Sequence, residues 1–529
     1  MKLGNIFKIA GLIGLITVLS KVIGFFRDVV IAGVYGASLT SDAYFYAYQI
    51  PAITLIILGG LGGPFHTVTV SIFSKKDTEA ATPPSEVESA LNTFLNITGL
   101  GFLTITVLIY FNAELLAQVI AAGGSPELHT LIAEQLKIMS PVILIGGIVG
   151  ILFGVSNVYE KFLLTAVSPI VTSIVIIMGV VLAGGHYGGL VLAWATLIGA
   201  FLQLVIQVPA FLSAGFRYKF HLDLKNKNVR KIGEILFPAA LGCSIGQINV
   251  YVDMFFASQL TEGSWSAIGY ANRIFQFPVG VLITAMMISI FPAFSKLVGQ
   301  EDWQNLRHYF HKGINYLWFA SFPVLVFMAV FAYEAIKILF ERGQFDSTDT
   351  LMVTEALFFL SFAIIFYVAR DTLTRVFYAF DDTKTPFFIA LISIFFKALF
   401  NFILIKPLGI GGICLSTVFV SCINGLFLAY LIRKKINLHF NKLWTDLKKI
   451  MLVTIVMAGF VIIFKSFLTD ILADGKVYIA LNIIISCSLG SIMYYLLALG
   501  LKIEPAVQLT HKIRHKLLSF QKKDKPDAD

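Results

Sequence analysis

Charged residues are scarce in this chain: Asp, Glu, Lys and Arg make up 13% of its 529 residues. A soluble protein carries roughly a quarter, so the composition excludes an ordinary soluble domain. Hydrophobic residues account for 57% of the chain. Apolar runs of about 20 residues, the length of a spanning helix, recur along almost all of it. The sequence therefore predicts an all-α polytopic membrane protein with about 14 transmembrane helices.

Cysteine is also rare, with four residues that all fall inside apolar runs: Cys243, Cys414, Cys422 and Cys487. Their spacing excludes a zinc-type cluster, and we expect them to be small packing residues. The sequence contains no nucleophile triad, phosphate-binding loop or catalytic carboxylate pair, which argues against an enzyme. We expect no cofactor. No cleavage site follows the first apolar stretch, which is therefore expected to be a retained helix.

The positive charges lie on one side of the predicted membrane topology. Net charge is +9, and the basic loops are at 217–231, 296–312, 433–449 and 502–525 when the helices are threaded with the N-terminus inside. Such a bias is typical of a cytoplasmic face. We therefore expect both termini to be cytoplasmic. Anionic lipid headgroups, rather than nucleic acid, account for the excess charge.

Two parts of the chain share landmarks: Ser168-Pro169 followed by Gly188-Gly189, and Thr385-Pro386 followed by Gly411-Gly412. A repeat of six helices is a frequent transporter plan and gives two lobes of the same orientation. We expect a six-helix lobe at 1–216, a basic cytoplasmic linker at 217–231, a second six-helix lobe at 232–436, two extra helices at 437–502 and a basic cytoplasmic tail at 503–529.

Four cations lie inside apolar runs: Lys21, Arg27, Arg273 and Lys397. Such charges are costly in hydrocarbon and usually face a polar interior, so they predict a wet, positively charged cavity. Arg27 and Arg273 fall at equivalent depths in opposite lobes. Two guanidinium groups there would make a diphosphate clamp, because each offers a planar fork of donors. The alternative is that each side chain snorkels to the outer headgroups.

Other polar residues have two interpretations each. Asp28 lies seven residues after Lys21, on one side of the helix, so the two could neutralise each other. Asp42, at the start of the second helix, is either a helix cap or a partner for Arg27, and the cap is favoured. His66 is either a packing residue or part of the substrate site.

Lys397 lies deep within the predicted eleventh helix, and Asn401 is one turn further along the same face. Thr417 and Asp253 fall at similar depths. Asp253 is the nearest plausible anion by that measure, which predicts a buried ion pair. The alternative is a tethered cation at a place where a transporter could bind sodium.

Several motifs are familiar: SKVIGFFRDVVIAGVYGASLTSDAYFYAYQIP at 20–51, AWATLIGAFLQLVIQVP at 193–209, QINVYVDMFFASQLTEGSWSAIGYANRIFQFPVGVL at 247–282, ERGQFDSTDT at 341–350 and RVFYAFDDTKTP at 375–386. With these motifs the chain resembles the MurJ (MviN) lipid II flippase family of the MOP exporter superfamily, and its cyanobacterial branch in particular. The resemblance covers most of residues 10–435.

The resemblance implies fourteen helices, a cationic central cavity and alternating access. It implies movement of an undecaprenyl-diphosphate-linked peptidoglycan precursor, lipid II, from the inner to the outer leaflet. The family's cavity arginines correspond to Arg27 and Arg273, its first-helix basic residue to Lys21, and its second-helix aspartate to Asp42. The expected partners are lipid II and membrane lipids, the expected state is a monomer, and the expected location is the bacterial inner (plasma) membrane. The polyprenyl tail would lie along a groove formed with the two extra helices.

The chain departs from the family pattern at two places. Leu55 and Ile56 stand where many members carry arginines in the second helix. Lys397 replaces the first asparagine of a helix-11 pattern, at a site where some members bind sodium. Its ammonium could stand in for that ion, which weakens the case for sodium coupling.

Other functions stay open at this point. A flippase for another polyprenyl-linked oligosaccharide, such as an exopolysaccharide or O-antigen unit, would need the same anchor contacts. A cation-coupled multidrug exporter would usually have twelve helices and acidic cavity residues. A membrane-embedded glycosyltransferase would need longer outer loops, and a scaffold that transports nothing is the remaining alternative.

Overall fold

The computed structural model describes residues 3–58, 84–158, 162–213, 218–223, 227–471 and 475–523. Within these ranges the chain forms nineteen helices. They are α1 Leu3–Tyr35, α2 Leu39–Leu58, α3 Pro84–Phe111, α4 Ala113–Ile120, α5 Pro126–Met139, α6 Pro141–Val158, α7 Phe162–Tyr187, α8 Leu190–Ser213, α9 Lys227–Ala257, α10 Ser264–Ser289, α11 Phe291–Gly299, α12 Trp303–Val330, α13 Ala332–Leu339, α14 Ser347–Ser361, α15 Ala363–Ala379, α16 Lys384–Ile436, α17 Asn441–Ile471, α18 Lys476–Gly500 and α19 Glu504–Lys523.

Seven of the described helices are long and apolar enough to cross a membrane. The number rises to nine if each of two bent pairs, α5 with α6 and α14 with α15, counts as one span. The prediction of an all-α polytopic membrane protein is therefore confirmed. The number of about 14 spans stays a prediction.

The chain divides into two compact units. The first contains residues 1–269 and 340–349, and the second contains residues 270–339 and 350–529. The predicted six-helix lobes and the linker between them stay predictions.

In the first unit, an apolar core joins α3, α6 and α8. Its buried side chains include Phe94, Phe102, Ile151 and Phe211. Between α7 and α8 the chain turns at Gly188, whose φ of 63° lies in the left-handed region that favours glycine. The hydroxyl of Tyr35 donates to the carbonyl of Gly188 at 3.0 Å, which fixes the end of α1 beside that turn.

In the second unit, α17 and α18 pack on α12 through a core that includes Phe322, Val326, Met457 and Tyr494. The long helix α16 is broken at Gly409, with φ 47° and ψ −125°, two residues after Pro407. The sequence predicted two helices here, and the structure has two arms, 384–408 and 410–436, that fold back on each other.

Candidate functional site

Arg27 lies on α1, and its guanidinium is held by the neighbouring carboxylate of Asp28. Both Nε and Nη2 donate to Oδ1 of Asp28, at 3.1 and 2.9 Å. The Arg27 side chain is 19% exposed, whereas that of Asp28 is 4% exposed. On α2, the rings of Tyr44 and Tyr48 stack on each other with centroids 5.7 Å apart. The arginine is thus oriented by its neighbours while part of its surface stays accessible.

The structure gives Asp28 a different ion-pair partner from the one considered in the sequence. Asp28 pairs with Arg27, which is adjacent in sequence, whereas Lys21 is an exposed residue on the same helix. Seven residues correspond to roughly 10 Å along a helix axis, so the adjacent guanidinium is much closer to the carboxylate. His66 lies outside the described residues.

Asp42 lies in the first turn of α2 and caps another helix. Its carboxylate oxygens accept hydrogen bonds from the backbone N–H of Gly263, at 2.8 Å, and of Ser266, at 2.7 Å. These residues form the start of α10, whose first N–H groups have no partner within the helix. The sequence predicted that Asp42 caps its own helix, α2, and this prediction is corrected. Asp42 is buried, and the helix that it caps is α10.

A loop from the ERGQFDSTDT motif docks on the end of α1. The backbone N–H of Gln344 donates to the carbonyl of Gly33 at 2.9 Å, and the carboxylate of Asp349 accepts the N–H of Ala37 at 2.9 Å. Gly343 has φ 60°, and a Cβ there would collide with the carbonyl oxygen of Gly33. The sequence identified the motif, but not this close backbone approach.

Arg273 lies nine residues into α10 and is partly exposed. It belongs to the second compact unit, whereas Arg27 belongs to the first. Their convergence on one diphosphate therefore stays a prediction.

Lys397 is buried at the interface between the two arms of α16. Its ammonium donates to the hydroxyls of Thr417, at 2.6 Å, and Ser416, at 2.8 Å, and to the carbonyl of Ile413 at 3.3 Å. Ser416 in turn hydrogen-bonds to the Asn401 side chain. A straight helix would hold residues 397 and 416 about 28 Å apart, so the break at Gly409 makes the site.

This geometry places three of the predicted residues, Lys397, Asn401 and Thr417, in one cluster. Ser416 and the carbonyl of Ile413 complete it, and sequence reasoning missed both. Asp253 lies in the first compact unit, so its predicted pairing with Lys397 stays a prediction. Neutral hydroxyl, amide and carbonyl oxygens are also what a small metal cation prefers, so the ammonium occupies a cation-binding type of environment.

The second half of α15 carries three charges that sequence reasoning did not single out. Arg375 Nε lies 3.5 Å from the carboxylate of Asp371. The guanidinium of Arg370 lies over the ring of Tyr367, 3.9 Å from its centroid. The signal was present in the sequence as the run RDTLTR inside an apolar stretch.

Comparison with known proteins decides the family. A family model described as "Lipid II flippase MurJ" matches residues 31–481. The chain belongs to the lipid II flippase MurJ family. A probable lipid II flippase MurJ from Synechocystis sp. is 32% identical over 463 residues, which cover 84% of this chain and 85% of the relative.

Solved structures agree with the membership in the MurJ family. A lipid II flippase MurJ in an inward closed conformation is 26% identical, covers 93% of this chain and 99% of that chain, and gives a TM-score of 0.78. An inward-facing multidrug resistance MATE transporter of the MOP superfamily is 15% identical over 79% of this chain and 94% of that chain, with a TM-score of 0.65. The second likeness shows the fold alone.

The family membership confirms three expectations from the sequence. The resemblance to MurJ and the MOP superfamily is confirmed, including the similarity to a cyanobacterial member. MurJ flippases are transporters and not enzymes, as the sequence indicated. The fold is that of a multi-span membrane protein of this family.

The departure from the MurJ pattern in α2 has a packing explanation. The side chain of Leu55 fills the space over Gly146 of α6, where a Cβ would collide with it. An arginine at position 55 would have to place its charge in that apolar contact. Ile56 is exposed.

Proposed function

We propose that this chain moves lipid II, an undecaprenyl-diphosphate-linked peptidoglycan precursor, from the inner to the outer leaflet by alternating access. One observation carries the proposal beyond family membership. The guanidinium of Arg27 lies inside a long apolar helix, held by Asp28 and still partly exposed. A charge in such a position avoids lipid by facing a water-filled interior, where it can bind an anion.

The diphosphate is the part of the substrate that these arginines would bind. Arg27 and Arg273 each offer several N–H donors in a planar fork that matches phosphate oxygens. Asp28 takes two donors of Arg27 on one side, which leaves the other edge of the guanidinium for a ligand. Lys21 adds a further cation on α1, and Asp42 caps the first turn of α10.

The wider architecture of the proposal has about 14 spans, cytoplasmic termini and two six-helix lobes at 1–216 and 232–436. The lobes would rock about bends near Gly24, Pro51, Pro278 and Gly280. The polyprenyl tail would stay in lipid, along a groove formed with residues 437–502. The protein would work as a monomer in the bacterial inner membrane.

We also propose that the cluster around Lys397 replaces a bound sodium ion. The ammonium already fills the space among three oxygen acceptors. A tethered cation cannot dissociate during the cycle, so transport would not require a sodium gradient. The charged substrate and the membrane potential would then be the candidates for the driving force.

The test is replacement of the essential flippase of a bacterium by this chain. The wild-type chain should restore growth, and inner-leaflet lipid II should return to its normal level. The Arg27→Ala, Arg273→Ala double variant should fail to restore growth while reaching the membrane in normal amounts. Arg230→Ala is the matched control, because Arg230 is an exposed residue paired with Glu234.

Full growth of the double variant would contradict the site assignment. Growth of the cells without any fall in inner-leaflet lipid II would contradict lipid II as the substrate. It would favour another polyprenyl-linked glycan.

A further inference from the structure

Helix α15 carries a stripe of polar side chains along one side. Each member lies three or four residues from at least one other, the spacing that brings side chains to one face of a helix. All of them are partly exposed: Tyr367, Arg370, Asp371, Thr374 and Arg375. The rest of the helix is largely buried among apolar neighbours, including Val368 and Phe377.

Charges on this stripe would be costly in lipid. α14 and α15 together are long and apolar enough to count as one bent span, and the stripe lies on the α15 part of that pair. A charge in hydrocarbon costs several kcal/mol, so we expect the stripe to face water.

The charges in the stripe do not cancel. Arg375 is compensated by Asp371, at 3.5 Å. Arg370 forms no ion pair within the described part of the chain. The stripe therefore has one excess positive charge, located on Arg370.

The ring of Tyr367 holds Arg370 in a form suited to anion binding. The guanidinium carbon of Arg370 lies over the ring, 3.9 Å from its centroid. An arginine held over an aromatic face still has its N–H donors in the plane of the guanidinium, where they can meet a phosphate.

Arg370 and Arg273 belong to the same compact unit, and one ring contact relates their positions. Phe275 of α10 packs edge-on against Tyr367, with ring centroids 6.0 Å apart. In the predicted topology one span, α12, lies between α10 and the α14–α15 pair, which makes these two run in the same direction. Arg273 comes two residues before this contact and Arg370 three residues after it. At 1.5 Å per residue, the two arginines would then be about 7–8 Å apart along the helices.

We propose that Arg370 is a further binding residue for the diphosphate of the lipid-linked substrate, on the inner side of Arg273. This inference rests on the proposed function, because it takes the diphosphate as the ligand. A separation of about 7–8 Å along the helices lets two long arginine side chains reach one diphosphate, or pass it from one to the other. Arg375 and Asp371 form an ion pair beside Arg370, with Nε and Oδ2 3.5 Å apart.

The experiment measures binding of undecaprenyl diphosphate to the purified full chain in lipid nanodiscs. Arg370→Ala and Arg370→Gln should each bind at least about tenfold more weakly than wild type, the loss expected when one charge-assisted contact is removed. Arg230→Ala, an exposed arginine with its own carboxylate partner, should bind like wild type. Undecaprenol, which has the same tail without phosphates, should bind equally to all of these variants.

The outcomes separate this inference from the proposed function. If both Arg370 variants bind with wild-type affinity while Arg273→Ala binds weakly, the role of Arg370 is overturned and the proposed diphosphate site stands. Wild-type affinity of the Arg27→Ala, Arg273→Ala double variant would overturn the proposed diphosphate site itself. Weaker binding of undecaprenol by the Arg370 variants would also overturn the role, because the effect would then be on the tail. If Arg370→Ala does not fold, Arg370→Gln decides the question.

Discussion

Replacing Thr417 by valine removes one hydroxyl oxygen that contacts the buried ammonium of Lys397, and it keeps the shape of the side chain. Lys397 is only 2% exposed, and its ammonium has the Thr417 hydroxyl at 2.6 Å, the Ser416 hydroxyl at 2.8 Å and the Ile413 carbonyl at 3.3 Å. The variant takes away the shortest of these three contacts. Burial leaves the ammonium little solvent to replace the lost contact.

The magnitude follows from the nature of the bond. A hydrogen bond to a charged group contributes about 1.5–3 kcal/mol. Valine is nearly isosteric with threonine, so no cavity term is added. We therefore expect Thr417→Val to lower the free energy of unfolding by about 1.5–3 kcal/mol. Thr354→Val is the control, because the Thr354 hydroxyl bonds at 2.6 Å to the carbonyl of Thr350 in its own helix. It should change stability by less than about 0.5 kcal/mol.

The assay is equilibrium unfolding of the detergent-solubilised protein, followed by tryptophan fluorescence, as a double-mutant cycle. In a Lys397→Met background the ammonium is absent, so Thr417→Val should cost less than about 0.5 kcal/mol. An equal cost with and without the ammonium would refute the reasoning. So would a cost for Thr417→Val no larger than that for Thr354→Val.

Three further predictions concern other parts of the chain. Gly343→Ala should destabilise the protein by more than about 1 kcal/mol in the same unfolding assay, because its φ is 60° and its Cβ would collide with the carbonyl of Gly33. Asn96→Ala should speed tryptic cleavage within residues 218–223, because the Asn96 side chain bonds to Tyr218 and His221 of this segment. Lys397→Asn should acquire sodium-dependent thermal stability, because the variant leaves the oxygen acceptors without their tethered cation.

Each of these predictions has a control and a contrary result. Gly425→Ala, at a glycine with open space around it, should be close to neutral, and equal effects at both glycines would contradict the packing argument. Asn112→Ala removes a bond to the Leu108 carbonyl and should leave cleavage unchanged. Identical melting of Lys397→Asn in sodium and potassium chloride would argue that the cluster cannot hold a small cation.

The fold was largely predictable from hydropathy, and its details were not. Long apolar runs indicate helices because a backbone in lipid must satisfy its own hydrogen bonds. The close hairpin of α16 was harder to predict. It depends on the positive φ of Gly409 and on the packing of Gly412 against the backbone of Leu404. Sequence spacing alone gives no sign of such an approach between two helical arms.

Residues of the candidate site could be predicted where a single residue is unusual for the sequence around it. Lys397 could be recognised because a lysine deep in an apolar run needs oxygen acceptors. Its hydrogen-bond acceptors could not be predicted, because Ser416 and Ile413 come within reach of the ammonium only through the hairpin of α16. Arg370 was missed although its segment stands inside an apolar run, because its excess charge is seen only once Arg375 is found paired with Asp371.

The most direct test of the central claim is transport of fluorescent lipid II by the purified chain in proteoliposomes. An impermeant quencher measures the fraction of the label that has reached the far leaflet. The wild-type chain and Arg230→Ala should move lipid II across the bilayer, and the Arg27→Ala, Arg273→Ala double variant should not. Transport by the double variant at the wild-type rate would contradict the claim that intramembrane guanidinium groups bind the substrate diphosphate.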